Sequence, residues 1–546
     1  MRTRIVAAVW AVAIVVILRS AAAAGPSWAA TAIEPMLGDP ADAWDEADEA
    51  DDETATADDD EFDGTDLPLH AVSLESSLDS QPGYGAAPAK PAGKKKPAGP
   101  PSPYKGVYYD NDFSYLDKPN NKYHAFGDAW KRLEATDCSV LDLGGEFRLR
   151  YHLEHNLRGS NLTGRSDEFL LERTRLYANW EYDGFVRLYA EAIDANSDFE
   201  HFTPRTIEEN RFDALNLFGD LLLTEDDGSK LWGRVGRQEL LYGNERLVSP
   251  LDWSNTRRTF DGAKIFWRGE DWNVDGYWVR PVPFAQHVNS DVNFDAPDQS
   301  QEFMSLYATF KGIKDKTLDL YYFRYAEYNG PGTFFAPQDF NLNLFGGRWL
   351  AKSGDWLGEL EGGYQFGEWG ATNQSAGFFT AGLGRQFPDA CWKPKLWLYY
   401  DFASGDANPN DGEHGTFNQL FPLGHKYFGY CDLVGRQNIH DLNLQLTTTP
   451  HKKLTFMVWY HIFHLDEARD ALYNANGTAI RVDNTGAAGT DVGQELDLTL
   501  TWNVRPRADL LFGYSHFYQG DFVRATNPVG VNGDVDFFYT QFNWRF

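Results

Sequence analysis

Cysteine is scarce in this chain of 546 residues: Cys138, Cys391 and Cys431 are an odd number at wide spacings. That excludes a disulfide framework, leaves room for one pair at most, and matches no zinc pattern. Methionine is scarce as well, 4 residues against 18 Trp, 27 Tyr and 38 Phe, a balance that suits strands with aromatic girdles better than helix-packed cores. Long apolar runs are also lacking, and a mean hydropathy of −0.49 excludes a helical membrane bundle. The one such run, Ile5 to Leu18, follows the basic Met1-Arg2-Thr3-Arg4 and precedes small residues at Ala21–Ala24 and Ser27-Trp28-Ala29. It is short for a spanning helix and reads as a cleavable secretory signal over residues 1–29. Basic charge is in deficit too: 49 Lys and Arg stand against 80 Asp and Glu, so a nucleic-acid partner, whose phosphates need a basic surface, is excluded.

The acid is unevenly spread. Between Glu34 and Asp66 there are sixteen carboxylates and no Lys or Arg, and self-repulsion predicts an extended, solvated segment. From Gln81 to Pro103 the composition turns to Pro, Gly, Ala and Lys, as in Pro88-Ala89-Lys90-Pro91-Ala92-Gly93-Lys94-Lys95-Lys96-Pro97, which predicts a semi-extended linker. Residues 30–103 are therefore expected to be a disordered periplasmic tail, with a barrel domain over 104–546. Residues 1–103 hold 7 of the basic and 18 of the acidic side chains, leaving 42 against 62, so the folded part is acidic as well.

From about residue 139 the chain is a succession of segments about ten residues long with period-two alternation, the length a tilted strand needs to cross a bilayer. Leu141, Leu143, Phe147, Leu149 and Tyr151 share one face of the first, while Asp142, Glu146, Arg148, Arg150 and His152 share the other. Leu496, Leu498, Leu500 and Trp502 oppose Glu495, Asp497, Thr499 and Asn503 in the same way, and Leu442, Leu444 and Leu446 oppose Asp441, Asn443 and Gln445. Successive side chains of a strand point to opposite faces, so each strand has one apolar and one wet wall.

A soluble sandwich shows the same alternation, and the connections discriminate. After even-numbered strands they are tight, as at Asp183-Gly184, Glu225-Asp226-Asp227-Gly228, Gly269-Glu270-Asp271 and Arg505-Pro506-Arg507, and a little longer around Pro388–Pro394. After odd-numbered strands they are mostly long, as in 195–211, 240–257, 282–300, 406–436, 467–491 and 521–534. Tight periplasmic turns on one rim and long external loops on the other are what an outer-membrane barrel requires. The count is about eighteen, wide enough to leave an aqueous channel. The last segment, Phe537 to Phe546, puts Phe538, Phe542, Trp544 and Phe546 on one face; it is predicted to pair with the first, because open edges are not tolerated in lipid. The predicted fold is an all-β transmembrane antiparallel barrel in the bacterial outer membrane.

Two stretches resemble the alginate-export family of outer-membrane porins. One runs from Gly233-Arg234-Val235-Gly236-Arg237-Gln238-Glu239 through Tyr242-Gly243-Asn244-Glu245-Arg246 and Ser249-Pro250 to Trp253, Asn255, Arg258 and Phe260-Asp261-Gly262. The other runs from Tyr400-Asp401-Phe402-Ala403-Ser404-Gly405-Asp406 through Leu420-Phe421-Pro422 and Gly424-His425-Lys426-Tyr427 to Gly429-Tyr430, Asp432 and Asn438. With Gly145-Glu146-Phe147-Arg148-Leu149-Arg150-Tyr151 the resemblance spans about residues 140–546. It implies an eighteen-stranded barrel that passes an acidic polysaccharide, alginate-like, or its oligomers, with arginines of the pore meeting the polymer's carboxylates. The matching wall positions are Arg148, Arg150, Arg173, Arg175, Arg187, Arg237 and Lys264, with Asp401 among the lining residues. Parity puts the first four and Arg187 on the polar face; the strand of Arg237 reads in either register. Arginine suits the task, since its planar fork holds a carboxylate through two charge-assisted hydrogen bonds. The same wall also carries Glu146, Glu181, Glu191, Glu359, Glu361, Asp441, Glu495 and Asp497, so its charges are mixed.

Asp401, Ser404, Asp406, Asn408, Asn410, Asp411 and Glu413 are oxygen donors without the spacing of a calcium loop. His461 and His464 lie three apart on a strand, hence on opposite faces, and they and His425 read as structural. With no nucleophile elbow, phosphate loop or zinc signature, neither an enzyme nor a cofactor is expected. The expected partners are an anionic polysaccharide or oligosaccharide and outer-membrane lipid, around a monomer. The alternatives from other classes are a general or other-sugar diffusion porin, a barrel enzyme acting on polysaccharide or lipid, and a binding barrel plugged by its loops.

Overall fold

In a computed structural model of the protein, residues 103–158, 161–284, 294–328, 339–529, 531 and 533–546 are described, all within one compact unit. The signal expected at 1–29 and the tail expected at 30–103, residue 103 excepted, lie outside the described residues.

Eighteen strands make the barrel. The first six are β1 (Ser139–His155), β2 (Asp167–Tyr182), β3 (Val186–Asp198), β4 (Asn210–Asp226), β5 (Ser229–Gln238) and β6 (Thr259–Arg268). Then come β7 (Trp272–Val282), β8 (Gln301–Phe310), β9 (Lys316–Glu327), β10 (Phe340–Ser353), β11 (Trp356–Trp369) and β12 (Thr372–Gln386). The last are β13 (Lys395–Ala403), β14 (Ile439–His451), β15 (Leu454–His464), β16 (Asp491–Arg505), β17 (Ala508–Gln519) and β18 (Val535–Arg545). Each pairs antiparallel with its sequence neighbours, and β18 pairs with β1 from Glu146↔Arg545 to His155↔Asp536. Phe546 extends this seam, its N–H donating to the Gly145 carbonyl and its carbonyl accepting from the Gly145 N–H. The predicted closure is thus present, and no barrel strand has an open edge.

Tight turns close one rim because they match the twist of the strands. Asp183 and Gly184 both have positive φ (49° and 62°), as do Asp227 and Gly228 (43° and 79°), the geometry that Asp-Gly adopts at least cost. The opposite rim carries the long connections, with one exception: β11 and β12 are joined by Gly370-Ala371 alone. The alternation sorts the wall as anticipated. Leu153, Leu188, Val235, Ile265, Leu306 and Leu383 are exposed on the outside, whereas Arg148, Arg173, Asp319, Glu359, Asp441 and Glu495 are buried inside.

A barrel this wide leaves an aqueous channel, and its width does not say whether loops plug it; the structure places returning chain inside. Three segments enter the lumen. The N-terminal segment, with 3-10 turns at Tyr108–Asp110 and Ser114–Asp117, packs Tyr108, Tyr109, Phe113 and Tyr115 with Tyr177, Tyr189 and Phe218 of the wall. The β5–β6 and β13–β14 connections (239–258 and 404–438) share a second core, in which Leu247, Trp253, Phe421 and Tyr427 pack with wall residues Tyr277, Phe303, Tyr307 and Phe323. Eighteen strands are too many for wall side chains to meet across the middle, so returning chain supplies the missing contacts and satisfies the inward charges.

Candidate functional site

The basic groups of the inner wall gather on one side. Arg148 and Arg150 (β1), Arg173 and Arg175 (β2), Arg187 (β3), Arg234 (β5) and Lys264 and Arg268 (β6) make one basic arc, interspersed with Glu146, Glu191 and Asp220. Glu359 and Glu361 (β11), Asp401 (β13), Asp441 (β14) and Glu495 and Asp497 (β16) make an acidic one. Arg148 and Arg173 are directly opposed across β1 and β2, an arrangement that repels unless something negative lies between them.

What lies there is a carboxylate on the wall and the 239–258 loop. Arg173 donates to Glu146 through Nε (2.8 Å) and Nη2 (2.5 Å), and its Nη2 also reaches Asp252 Oδ1 at 2.9 Å. Arg148 donates to the carbonyls of Asp252 (2.8 Å) and Ser254 (2.5 Å). Arg150 donates to the Trp253 carbonyl at 2.7 Å and lies 3.8 Å over the Trp253 ring. From the loop itself, Arg257 contacts both Asp252 and Glu239. Three wall arginines thus grip one turn of loop, which offers them a carboxylate, three carbonyls and a ring face. The Trp253 ring is sandwiched in turn, stacking on His425 at 3.5 Å between centroids, and His425 stacks on Tyr430 at 4.5 Å.

Of the other sequence-predicted residues all but Arg237 face inward, and each has a partner in the protein. Arg175 binds Glu191 (2.7 Å) and lies 3.9 Å over the Tyr108 ring. Arg187 pairs with Asp220 (3.1 Å) and donates to the Tyr109 carbonyl (2.9 Å). Arg237 does not face inward: the ladder sets it beside Leu217 and Asp261 on the outer parity of the exposed Val235, at the loop end of β5, where Asp261 at 2.8 Å and Asp213 at 3.5 Å hold it. Lys264 pairs with Asp275 (2.8 Å), and Asp401 accepts from Arg436 (2.9 Å) and Thr380 (2.6 Å). Arg148, Arg150 and Arg173 come together around one turn, Arg175, Arg187 and Lys264 around the N-terminal segment; Arg237 and Asp401 stand apart from both groups.

Several residues escaped sequence reasoning. Arg246 binds Glu359 at 2.6 Å and Glu361 at 3.0 Å, tying the 239–258 loop to the acidic arc. Arg436 ties the 404–438 loop to Asp401, and the N–H of Cys431 donates to Glu495 at 2.8 Å. These groups sit on loops, where alternation carries no information; membership of the family-like string was the sole signal for Arg246. Burial, with Glu495 and Asp497 beside it, pushes the Cys431 thiol well up. No disulfide forms among Cys138, Cys391 and Cys431, and the first two are exposed. The oxygen-rich stretch 406–413 spends its side chains on its own backbone, Asp406 on the Asn408 N–H and Asp411 on the Glu413 N–H. His461 is buried against Asp441 (2.8 Å) and His464 is exposed, so the two do face opposite ways.

A closed eighteen-strand barrel with an apolar outer face, a charged inner wall, tight turns along one rim and all but one of the connections long on the other defines a porin of the bacterial outer membrane. Over residues 139–533 the chain matches the family described as alginate export, and it belongs to that family. Among solved structures it is similar to OccK11 (OpdR) of Pseudomonas aeruginosa, at 13% identity and a TM-score of 0.49, covering 74% of this chain and 95% of that one. OpdQ of Pseudomonas aeruginosa is similar at 11% identity, TM-score 0.49, covering 74% and 97%. A BenF-like porin from Pseudomonas fluorescens Pf-5 is similar at 12% identity, TM-score 0.48, covering 74% and 98%. Likeness at this level says nothing of the solute. No curated protein matches the chain.

Proposed function

We propose that this porin passes an anionic polysaccharide, alginate-like, or its oligomers across the outer membrane, and that it is a channel rather than an enzyme. One observation carries the reading: Arg148, Arg150 and Arg173 converge on a single turn that presents them with the Asp252 carboxylate, backbone carbonyls and the flat face of Trp253. A uronate residue offers the same groups, a carboxylate, ring oxygens and a pyranose face. When the turn at 252–254 withdraws, the arginines it held are available to the polymer's carboxylates, one sugar after another. Arg175, Arg187 and Lys264 extend the basic arc along the path, and Asp401 belongs to the lining on the acidic side. The pairing of Arg173, Arg175 and Arg187 with wall carboxylates suits transport, since sites that bind weakly release the polymer to the next. The apolar outer face serves as the lipid contact, and the working unit is a monomer, because every strand already has two partners.

The test is electrical. Protein in planar bilayers under a salt gradient is expected to give a reversal potential on the anion-selective side, and oligouronate is expected to block it at lower concentration than a neutral oligosaccharide of equal length. Cation selectivity, or equal block by both sugars, refutes the anionic assignment.

A further inference from the structure

The N-terminal segment that enters the barrel from the tight-turn rim is seated on a surface of a definite chemistry. Tyr108 donates its hydroxyl to Glu146 (2.5 Å) beneath the guanidinium of Arg175, 3.9 Å from the ring. Tyr109 donates its hydroxyl to the Glu239 carbonyl (2.7 Å), its ring meets those of Tyr189 and Phe218 edge-on at 5.9 and 5.3 Å, and Arg234 lies 4.5 Å from its centroid. Arg187 and Arg257 take the carbonyls of Tyr109 and Gly106. Next in sequence, the buried Asp110 lines a cavity of about 40 Å³, room for roughly three waters, together with Arg234, Lys264 and Arg268. The segment therefore brings a carboxylate, two carbonyls and two aromatic rings to a wall made of arginines and stacked rings (Tyr177–Tyr189–Phe218).

We propose that residues 105–117 are a built-in mimic of the transported polymer, closing the periplasmic mouth by occupying a carboxylated-sugar subsite formed by Arg187, Arg234, Lys264 and Arg268 with Tyr189 and Phe218. This rests on the reading of the substrate as carboxylated. Three features fit a plug that leaves rather than a permanent filling. The cavity beside Asp110 leaves the fit incomplete. Burial raises the Asp110 carboxyl against the pull of Arg234, so seating this anion on the wall carries a desolvation cost that is returned when the segment leaves. The chain next to the plug, Lys118–Asn120, is exposed, which gives the segment room to swing out.

The experiment uses the full chain in planar bilayers. Tyr108→Ala/Tyr109→Ala removes both hydroxyl anchors and both rings; as a second route, a protease site inserted at Asn120-Asn121 is cut after the barrel has formed, which keeps folding out of the question. Either is expected to raise the open-channel fraction roughly 10- to 100-fold, for the double variant the scale of losing one hydrogen bond to a carboxylate and one to a backbone carbonyl. A uronic acid trimer added on the periplasmic side is then expected to block at about tenfold lower concentration than a neutral trisaccharide, an advantage removed by Arg234→Gln. An unchanged open fraction on both routes overturns the plug. Equal block by the two sugars, or indifference to Arg234→Gln, overturns the mimicry. If oligouronate still blocks the intact protein from the extracellular side, the proposed function stands while this inference falls; if it blocks nothing from either side, the proposed function falls first.

Discussion

Arg246→Ala is the most direct perturbation of the closed lumen. Arg246 is buried, and its Nη1 donates to Glu359 (2.6 Å) and Glu361 (3.0 Å) while Nη2 donates to Glu359 (3.2 Å). Removing one partner of such a buried pair strands the other charge and costs about 3–5 kcal/mol. Arg348 lies 3.9 Å from Glu359, and Asn244 donates to it at 3.3 Å, so part of the stranded charge is compensated and the lower end, about 3 kcal/mol, applies. The cost falls on the state with the 239–258 loop inside, since the ladders of β10–β12 do not depend on it. At about 1.4 kcal/mol per decade, the ratio of closed to open should fall on the order of 100-fold. Single-channel recording measures that ratio as the fraction of time open, and the shift in gel mobility on heating confirms a folded barrel. Glu359→Gln/Glu361→Gln in the same background removes the stranded charge, keeps acceptors for the Tyr399 and Tyr321 hydroxyls, and should recover part of the closure. A folded Arg246→Ala barrel as closed as the parent refutes the claim that this pair holds the loop.

Three further outcomes follow from the same geometry. Arg173→Ala removes a basic group and frees the Glu146 and Asp252 carboxylates, so the reversal potential in a salt gradient should move toward cations; no movement would mean that this arc does not set the field of the lumen. Cys138 and Cys391 should react with a maleimide at pH 8 in the folded protein while Cys431 does not, because a thiol pushed up by burial holds little thiolate; rapid labelling of all three would place the 404–438 loop outside the lumen. Gly384→Ala would set a methyl group 2.5 Å from the buried Trp397 ring, and urea unfolding should show a loss of about 1–3 kcal/mol; a neutral result would mean that the ring has room the packing denies.

How much of this was legible beforehand depended on the distance over which each feature is specified. Parity within a single strand assigned Arg148, Arg150, Arg173, Arg175 and Arg187 to the inner face, and turn chemistry at Asp183-Gly184 and Asp227-Gly228 placed the tight rim. Arg237 could not be placed that way, since its strand alternates acceptably in both registers; pairing with β4 and β6, which sets Arg237 beside the exposed Leu217 and opposite Asp261, puts it on the outer parity. The short Gly370-Ala371 connection on the long-loop rim went unnoticed because length alternation is a tendency of the whole and says nothing of one hairpin.

Sequence alone determined the strand count, the two-sided wall and the closing seam, since a period-two pattern needs nothing beyond neighbours along the chain and an unpaired edge is forbidden whatever the partner. The filled lumen was decided by tertiary structure. Arg246 meets Glu359 across 113 residues, Arg148 meets Ser254 across 106, and Tyr109 meets Glu239 across 130. Contacts at such separations form only when a closed wall has already brought both ends to one place, and no local rule tells a loop that returns inward from one that stays in solvent.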